Sequence, residues 1–204
     1  MLPLIGRGIL ATVLWGLLFV VVMYPPFEGE SPFFESWSYP ITVLSRDIAG
    51  AEARFKTAHL ADPTGHGAGE YASLEELSGA TLVAGHRLDF LTSEFADDEP
   101  VVAGFCYSIW LPTGPHSAAS LHSDDPASAN LRETNWVAYA WPSRPEFGRA
   151  MFAIDQRGVC YRRLNASGPP TWDSLYGDRG WACAATHGRA RDATASGWFP
   201  ARSQ

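Results

Sequence analysis

The hydrophobic and polar positions divide the chain into three regimes. The first is a run without a charge, Gly8 to Tyr24 (GILATVLWGLLFVVVMY), bounded by Arg7 and by Pro25-Pro26. As a helix this run would extend about 25 Å, the low end for crossing a bilayer, and Arg7 would snorkel to the interface. Its exit, VVVMYPPFEGES, lacks the small-x-small pattern of a cleaved signal peptide, so the run reads as an uncleaved signal anchor. Ile9, Leu14, Trp15, Leu18 and Val21 are its anchor residues. With Arg7 held on the cytoplasmic side, the predicted location is a bacterial inner (cytoplasmic) membrane, single-pass, with the C-terminal domain in the periplasm. No histidine lies in the run, so it offers no axial ligand to an intramembrane haem or pigment.

The second regime has helical periodicity. In ITVLSRDIAGAEARFKTAHL, Ile41, Leu44, Ile48, Ala51 and Phe55 recur at three- and four-residue steps, which predicts an amphipathic helix with one buried stripe. Pro63, Gly65, Gly67 and Gly69 break it, and Ser73-Leu74-Glu75-Glu76 has the form of a capping box opening a short helix. The third regime has period two. Strands are expected at Gly104 to Leu111, Asn135 to Trp141, Arg149 to Ile154 and Val159 to Arg163. Asp155-Gln156-Arg157-Gly158 joins the last two as a hairpin turn. Pro112 to Asn130 reads as a surface excursion. From Asn165 the periodicity fades, but a tail holding Trp172, Tyr176, Trp181, Trp198 and Phe199 is too aromatic for disorder and should wrap on the sheet or on a neighbour.

Composition narrows the function classes. The 204 residues are 46% hydrophobic and 13% aromatic, which excludes a disordered or coiled-coil chain. Net charge is −7, and Lys56 is the one lysine beside fourteen arginines, so neither nucleic-acid binding nor polybasic membrane adhesion is expected. The segment PPFEGESPFFESWSYP interleaves Phe33, Phe34 and Trp37 with glutamates. It is either a linker packed on its own domain or a collar at a membrane surface or partner subunit.

Taken in order, AEARFKTAHL, EYASLEEL, GFCYSIW, WVAYAWP and GRAMFAIDQRGVCYR resemble the type IV pilin-like, or pseudopilin-like, globular domain. The resemblance covers about Ser38 to Arg163 and sits on a non-pilin anchor, because GRGILATVLWG lacks the glutamate of the pilin leader. It implies an α+β fold: an N-terminal transmembrane helix, a long amphipathic helix packed on a four-stranded antiparallel sheet, and an aromatic-rich C-terminal extension. The corresponding domains are a signal anchor at 1–27, an interfacial linker at 28–37, the pilin-like domain at 38–165 and an irregular extension at 166–204.

Candidate chemistry is sparse. Cys106, Cys160 and Cys183 are an odd set, and after export a Cys160–Cys183 or Cys106–Cys183 disulfide is possible. If the aromatics beside Cys106 and Cys160 face the helix, both thiols lie on the outer sheet face. His116, His122, Asp124 and Asp125 match no established ligand spacing, and Cys183 with His187 supplies two ligands only. Gly65-His66-Gly67-Ala68-Gly69 has no preceding strand and no following G-K-[ST], so it reads as a turn. No cofactor and no metal are expected, and no nucleophile is singled out. The resulting expectation is a non-catalytic, single-pass accessory subunit of a larger membrane protein complex, photosynthetic or respiratory in kind. It would brace that complex from the extracytoplasmic side, with membrane lipid and other membrane-protein subunits as partners and no nucleic acid. Phe33, Phe34, Trp37, Trp172, Trp181 and Trp198 are the candidate partner contacts. The alternative is a pseudopilin-like component of a secretion or pilus machine.

Overall fold

Alternating aromatic and β-branched residues form strands when each face of the strand can enter its own apolar layer. The computed structural model describes residues 34–61, 68–121, 126–144, 150–164, 168–175 and 197–201. Its strands are β1 (Val101–Val102), β2 (Phe105–Gly114), β3 (Ser117–Ala119), β4 (Val137–Pro142), β5 (Met151–Asp155), β6 (Cys160–Arg163) and β7 (Phe199–Pro200). They pair antiparallel in the order β1-β2-β4-β5-β6-β7, with β3 also on β2. Gly158, at φ +70, donates its N–H to the Asp155 carbonyl (2.8 Å) and closes the β5–β6 hairpin with a conformation that favours glycine.

The chain divides into two compact units, Met1–Ser36 and Trp37–Gln204. A continuous helical run consists of α1 (Phe34–Thr42), a π-helical turn (Val43–Ile48) and α2 (Ala49–Thr57). The π turn has a local cause. Pro40 brings no N–H to the ladder, while the Thr42 and Ser45 hydroxyls donate to the Ser38 and Ile41 carbonyls at 2.8 and 2.7 Å, competing with backbone donors. The wider turn buries the adjacent residues Val43 and Leu44 together with Ile48. Helix α3 (Leu74–Leu77) starts at the expected capping box: Ser73 Oγ accepts from the Glu76 N–H (3.3 Å), and Glu76 Oε2 accepts from the Ser73 N–H (2.9 Å).

Both faces of the sheet are covered. Phe105, Tyr107, Ile109 and Leu111 of β2, Ala138 and Ala140 of β4, and Phe152 and Ile154 of β5 pack with Leu44, Ile48, Ala51 and Phe55 of the helical run. On the other face Val137, Tyr139 and Trp141, Met151, Ala153 and Tyr161 pack with Leu175 and Trp198. Here the C-terminal chain returns. Tyr139 is fully buried; its hydroxyl donates to the Trp172 carbonyl (3.2 Å) and accepts from the Leu175 N–H (2.9 Å). Trp198 lies 5.8 Å from the Tyr139 ring and donates its indole N–H to the Ser174 carbonyl (2.7 Å).

Two expectations are corrected. The four-stranded pilin-like α+β fold gives way to a mostly antiparallel sheet of seven strands. The added strands β1, β3 and β7 are two or three residues long, too short to show a period, and tertiary pairing alone makes them strands. The excursion at Pro112 to Asn130 likewise contains β3 and the start of helix α4 (Pro126–Arg132). The single-pass inner-membrane placement, with its transmembrane and signal-anchor labels, is also overturned. Among the described residues no helix is long and apolar enough to cross a membrane. The helical run carries Arg46, Asp47, Glu52, Arg54 and Lys56, which a hydrocarbon core would reject. Ile9, Leu14, Trp15, Leu18 and Val21, on which that placement rested, lie outside the described residues.

Candidate functional site

Most buried polar groups hold the fold together. Gly69 lies so close to the end of α2 that a Cβ there would meet the Lys56 carbonyl oxygen at 2.1 Å, and the segment that follows is tied down from both sides. Arg132, at the end of α4, meets Glu70 (Nε to Oε2, 2.6 Å) with both side chains fully buried, and also donates to Ser128 Oγ. Lys56 donates to the Glu133 carbonyl and lies 4.5 Å from the Tyr71 ring centroid. Asp155 is buried and receives Arg157 through its side chain (Nε to Oδ2, 2.8 Å) and its backbone N–H (3.0 Å).

Glu52 is the exception within this cluster. It is fully buried; Oε2 accepts from the Ala72 N–H (3.0 Å), and Oε1 has no hydrogen-bond partner. Burial first, and Glu76 nearby, push its carboxyl well above its ordinary value of 4.5, against the Ala72 hydrogen bond and Lys56, which pull it down. The folded state therefore binds a proton more tightly than the unfolded chain. Stability is highest below pH 4.5 on account of this group and falls as pH rises toward the folded-state value. Glu52→Gln keeps the acceptor for Ala72 and removes the titration. In urea melts it should match the parent near pH 4.5 and exceed it at pH 8 by on the order of 1 kcal/mol, with a flatter pH profile. A steeper profile in the variant would refute this.

Between the helical run and the segment 90–95 lies a groove of about 540 Å³, within the size range of ligand sites. One helix stripe lines it (Tyr39, Val43, Arg46, Asp47, Gly50, Arg54), faced by Phe90, Leu91, Thr92, Glu94 and Phe95. Val43, Leu91 and Phe95 are buried and form the apolar floor, whereas Tyr39 is 41% exposed. Arg46 pairs with Asp47 at 2.8 Å, which raises the Arg46 guanidinium and neutralises the middle of the helix wall. Arg54 donates from Nη2 to the Phe90 carbonyl (2.7 Å), with its guanidinium carbon 5.4 Å from the Phe90 ring centroid. At the other end Phe95 packs edge-on against Tyr107 (5.5 Å). The Tyr107 hydroxyl is buried without a hydrogen-bond partner, and burial first, then Tyr39 and Asp47, raise its pKa. Gly50 sits mid-helix in the lining, and a Cβ there would meet nothing within 4 Å. Packing does not require glycine at this position, and its absent side chain widens the groove.

The residues singled out from sequence are dispersed. Cys106 packs in the layer with Tyr139 and Trp198, and Cys160 in the helix-facing layer, so they occupy opposite faces of the sheet. The shared outer face fails because Tyr161, beside Cys160, points away from the helix. Both are free thiols; burial raises Cys106 and, with Asp155 adding to it, pushes Cys160 up to about 11. Cys183, common to both candidate pairings, lies outside the described residues. Trp198 is fully buried in its own domain, and Trp172 is half-buried against the same layer. Phe34 and Trp37 fall in α1, whereas Phe33 and Trp181 lie outside the described residues. His116 is exposed in the β2–β3 turn, and His122, Asp124, Asp125 and His187 lie outside the described residues. Among the described residues no three His, Cys, Asp or Glu side chains gather as ligands to one metal ion would.

Sequence reasoning missed the groove. Its one local signal is Gly50, a poor helix former inside a well-formed helix. The facing wall carries no period, and the Arg54–Phe90 contact spans 36 residues. Comparison with known proteins finds no matching family, no similar curated protein and no similar solved structure.

Proposed function

We propose that this chain works without catalysis, as an accessory, structural subunit of a larger protein assembly, with the groove as its recognition site for a partner segment. The observation that carries this reading is the glycine-opened groove, where an apolar floor meets Arg54 and Glu94. Elsewhere, Glu70, Arg132, Asp155 and Arg157 are engaged in contacts that hold the fold. Apolar floors with a few placed polar groups are what recognition sites have in common.

Native electrophoresis of the gently extracted chain should show a species well above 22.2 kDa. Gly50→Leu should release it as a monomer. Gly50→Ala should remain bound and gain about 1 kcal/mol of stability from helix propensity. A parent chain that migrates as a monomer, or a complex indifferent to Gly50→Leu, would overturn the proposal.

A further inference from the structure

We infer that the segment accepted by the groove carries a carboxylate next to an aromatic or branched apolar side chain, with the carboxylate on Arg54 and the apolar group over Gly50. This inference rests on the recognition role proposed above and adds the chemistry of the occupant.

The charges of the groove are unevenly disposed. Arg46 and Asp47 satisfy each other in the middle of the helix wall. Arg54 has no carboxylate partner among the described residues. One of its N–H groups is given to the Phe90 carbonyl, and its face lies near the Phe90 ring, so the guanidinium is held in place with donors to spare. A positioned guanidinium with spare paired N–H donors matches the geometry of a carboxylate. Glu94 lines the groove next in sequence to Phe95, which packs on Tyr107, whose hydroxyl is influenced by Tyr39 and Asp47. Glu94 carries no ion pair among the described residues and would repel an acid beside it, so the preferred carboxylate position is confined to Arg54.

The apolar requirement comes from the space between. Val43, Leu91 and Phe95 are buried beneath it, and the missing Gly50 side chain leaves room above them. A large apolar side chain fills that room and covers the floor, and its neighbouring carboxylate then reaches Arg54. The exposed ring of Tyr39 flanks the opposite end.

The test uses the full chain and two short peptides, acetyl-Gly-Asp-Phe-Gly-amide and acetyl-Gly-Phe-Asp-Gly-amide, each beside its Asn counterpart. Binding is followed by NMR at the Gly50 backbone N–H and the Arg54 Nε–H. At least one Asp peptide should bind saturably, fivefold or more tighter than its Asn counterpart. Arg54→Gln should bring that ratio within twofold of one by weakening the Asp peptide far more than the Asn peptide, a result that loss of groove shape would not produce. Gly50→Leu should abolish binding of both. Equal affinities for Asp and Asn peptides, a preference that survives Arg54→Gln, or no saturable binding by any of the four overturns the inference. A native complex lost on Gly50→Leu together with charge-blind peptides would sink only the carboxylate requirement. Asp-selective binding by a chain that is monomeric when extracted would sink only the assembly role.

Discussion

Trp198→Ala should cost about 3–5 kcal/mol in urea unfolding, the loss expected when a buried aromatic is cut back to a methyl group. Trp198 is the largest of the fully buried side chains among the described residues, and it fills the layer formed by Val137, Tyr139, Met151, Ala153 and Leu175. Its indole N–H also satisfies the Ser174 carbonyl at 2.7 Å, so alanine adds an orphaned acceptor to the cavity. Tyr139→Phe is the milder companion. It keeps the ring and removes the hydroxyl that ties down Trp172 and Leu175, and should cost about 1–3 kcal/mol. If Trp198→Ala proved neutral, the C-terminal chain would not belong to the core.

The second large effect concerns the buried pair Arg132–Glu70. Replacing Arg132 by Met leaves the Glu70 carboxylate buried without its cation, and about 3–5 kcal/mol should be lost. The double variant Arg132→Met with Glu70→Leu removes both charges. It should recover a substantial part of that loss, because desolvating two ions offsets much of what their attraction returns. A double-mutant cycle in urea checks this, and additive losses would contradict it. The cost of the single change is structural as well as electrostatic. Through Glu70 the Arg132 side chain joins α4 to the extended segment that leads into α3, and it donates to Ser128 within α4; the substitution keeps the backbone carbonyl that accepts the Tyr71 N–H (3.1 Å).

These two sites show where local pattern stops being informative. The β2, β4, β5 and β6 strands appear within two or three residues of where alternation predicts them, since a strand buried on a face needs that period whatever its partners are. The Ser73–Glu76 capping box and the Asp155–Gly158 turn were equally readable, because each is completed within four residues. Buried charges carry no such local signal. Glu52, Glu70 and Arg132 are fully buried because a distant segment supplies each contact, whereas Asp155 is buried beside its partner Arg157, two residues along. Of the aromatic tail, Trp172 and Trp198 pack on the sheet, and the destination of Trp198 inside its own domain depends on Tyr139 and Ser174.

By itself the sequence determined the repeating local geometry: a helix with a buried stripe from Ile41 onward, one capped turn and four alternating strands. Those features follow from steric preference and from side-chain spacing over a few residues, and they hold in any tertiary setting. Only the tertiary structure decided that seven strands join one sheet, that both its faces are covered, and that Tyr39, Gly50 and Arg54 open onto Phe90 and Glu94 as a groove. Strands of two residues and single contacts spanning 36 positions or more have no periodic signature, because their stability comes from the partner that closes on them.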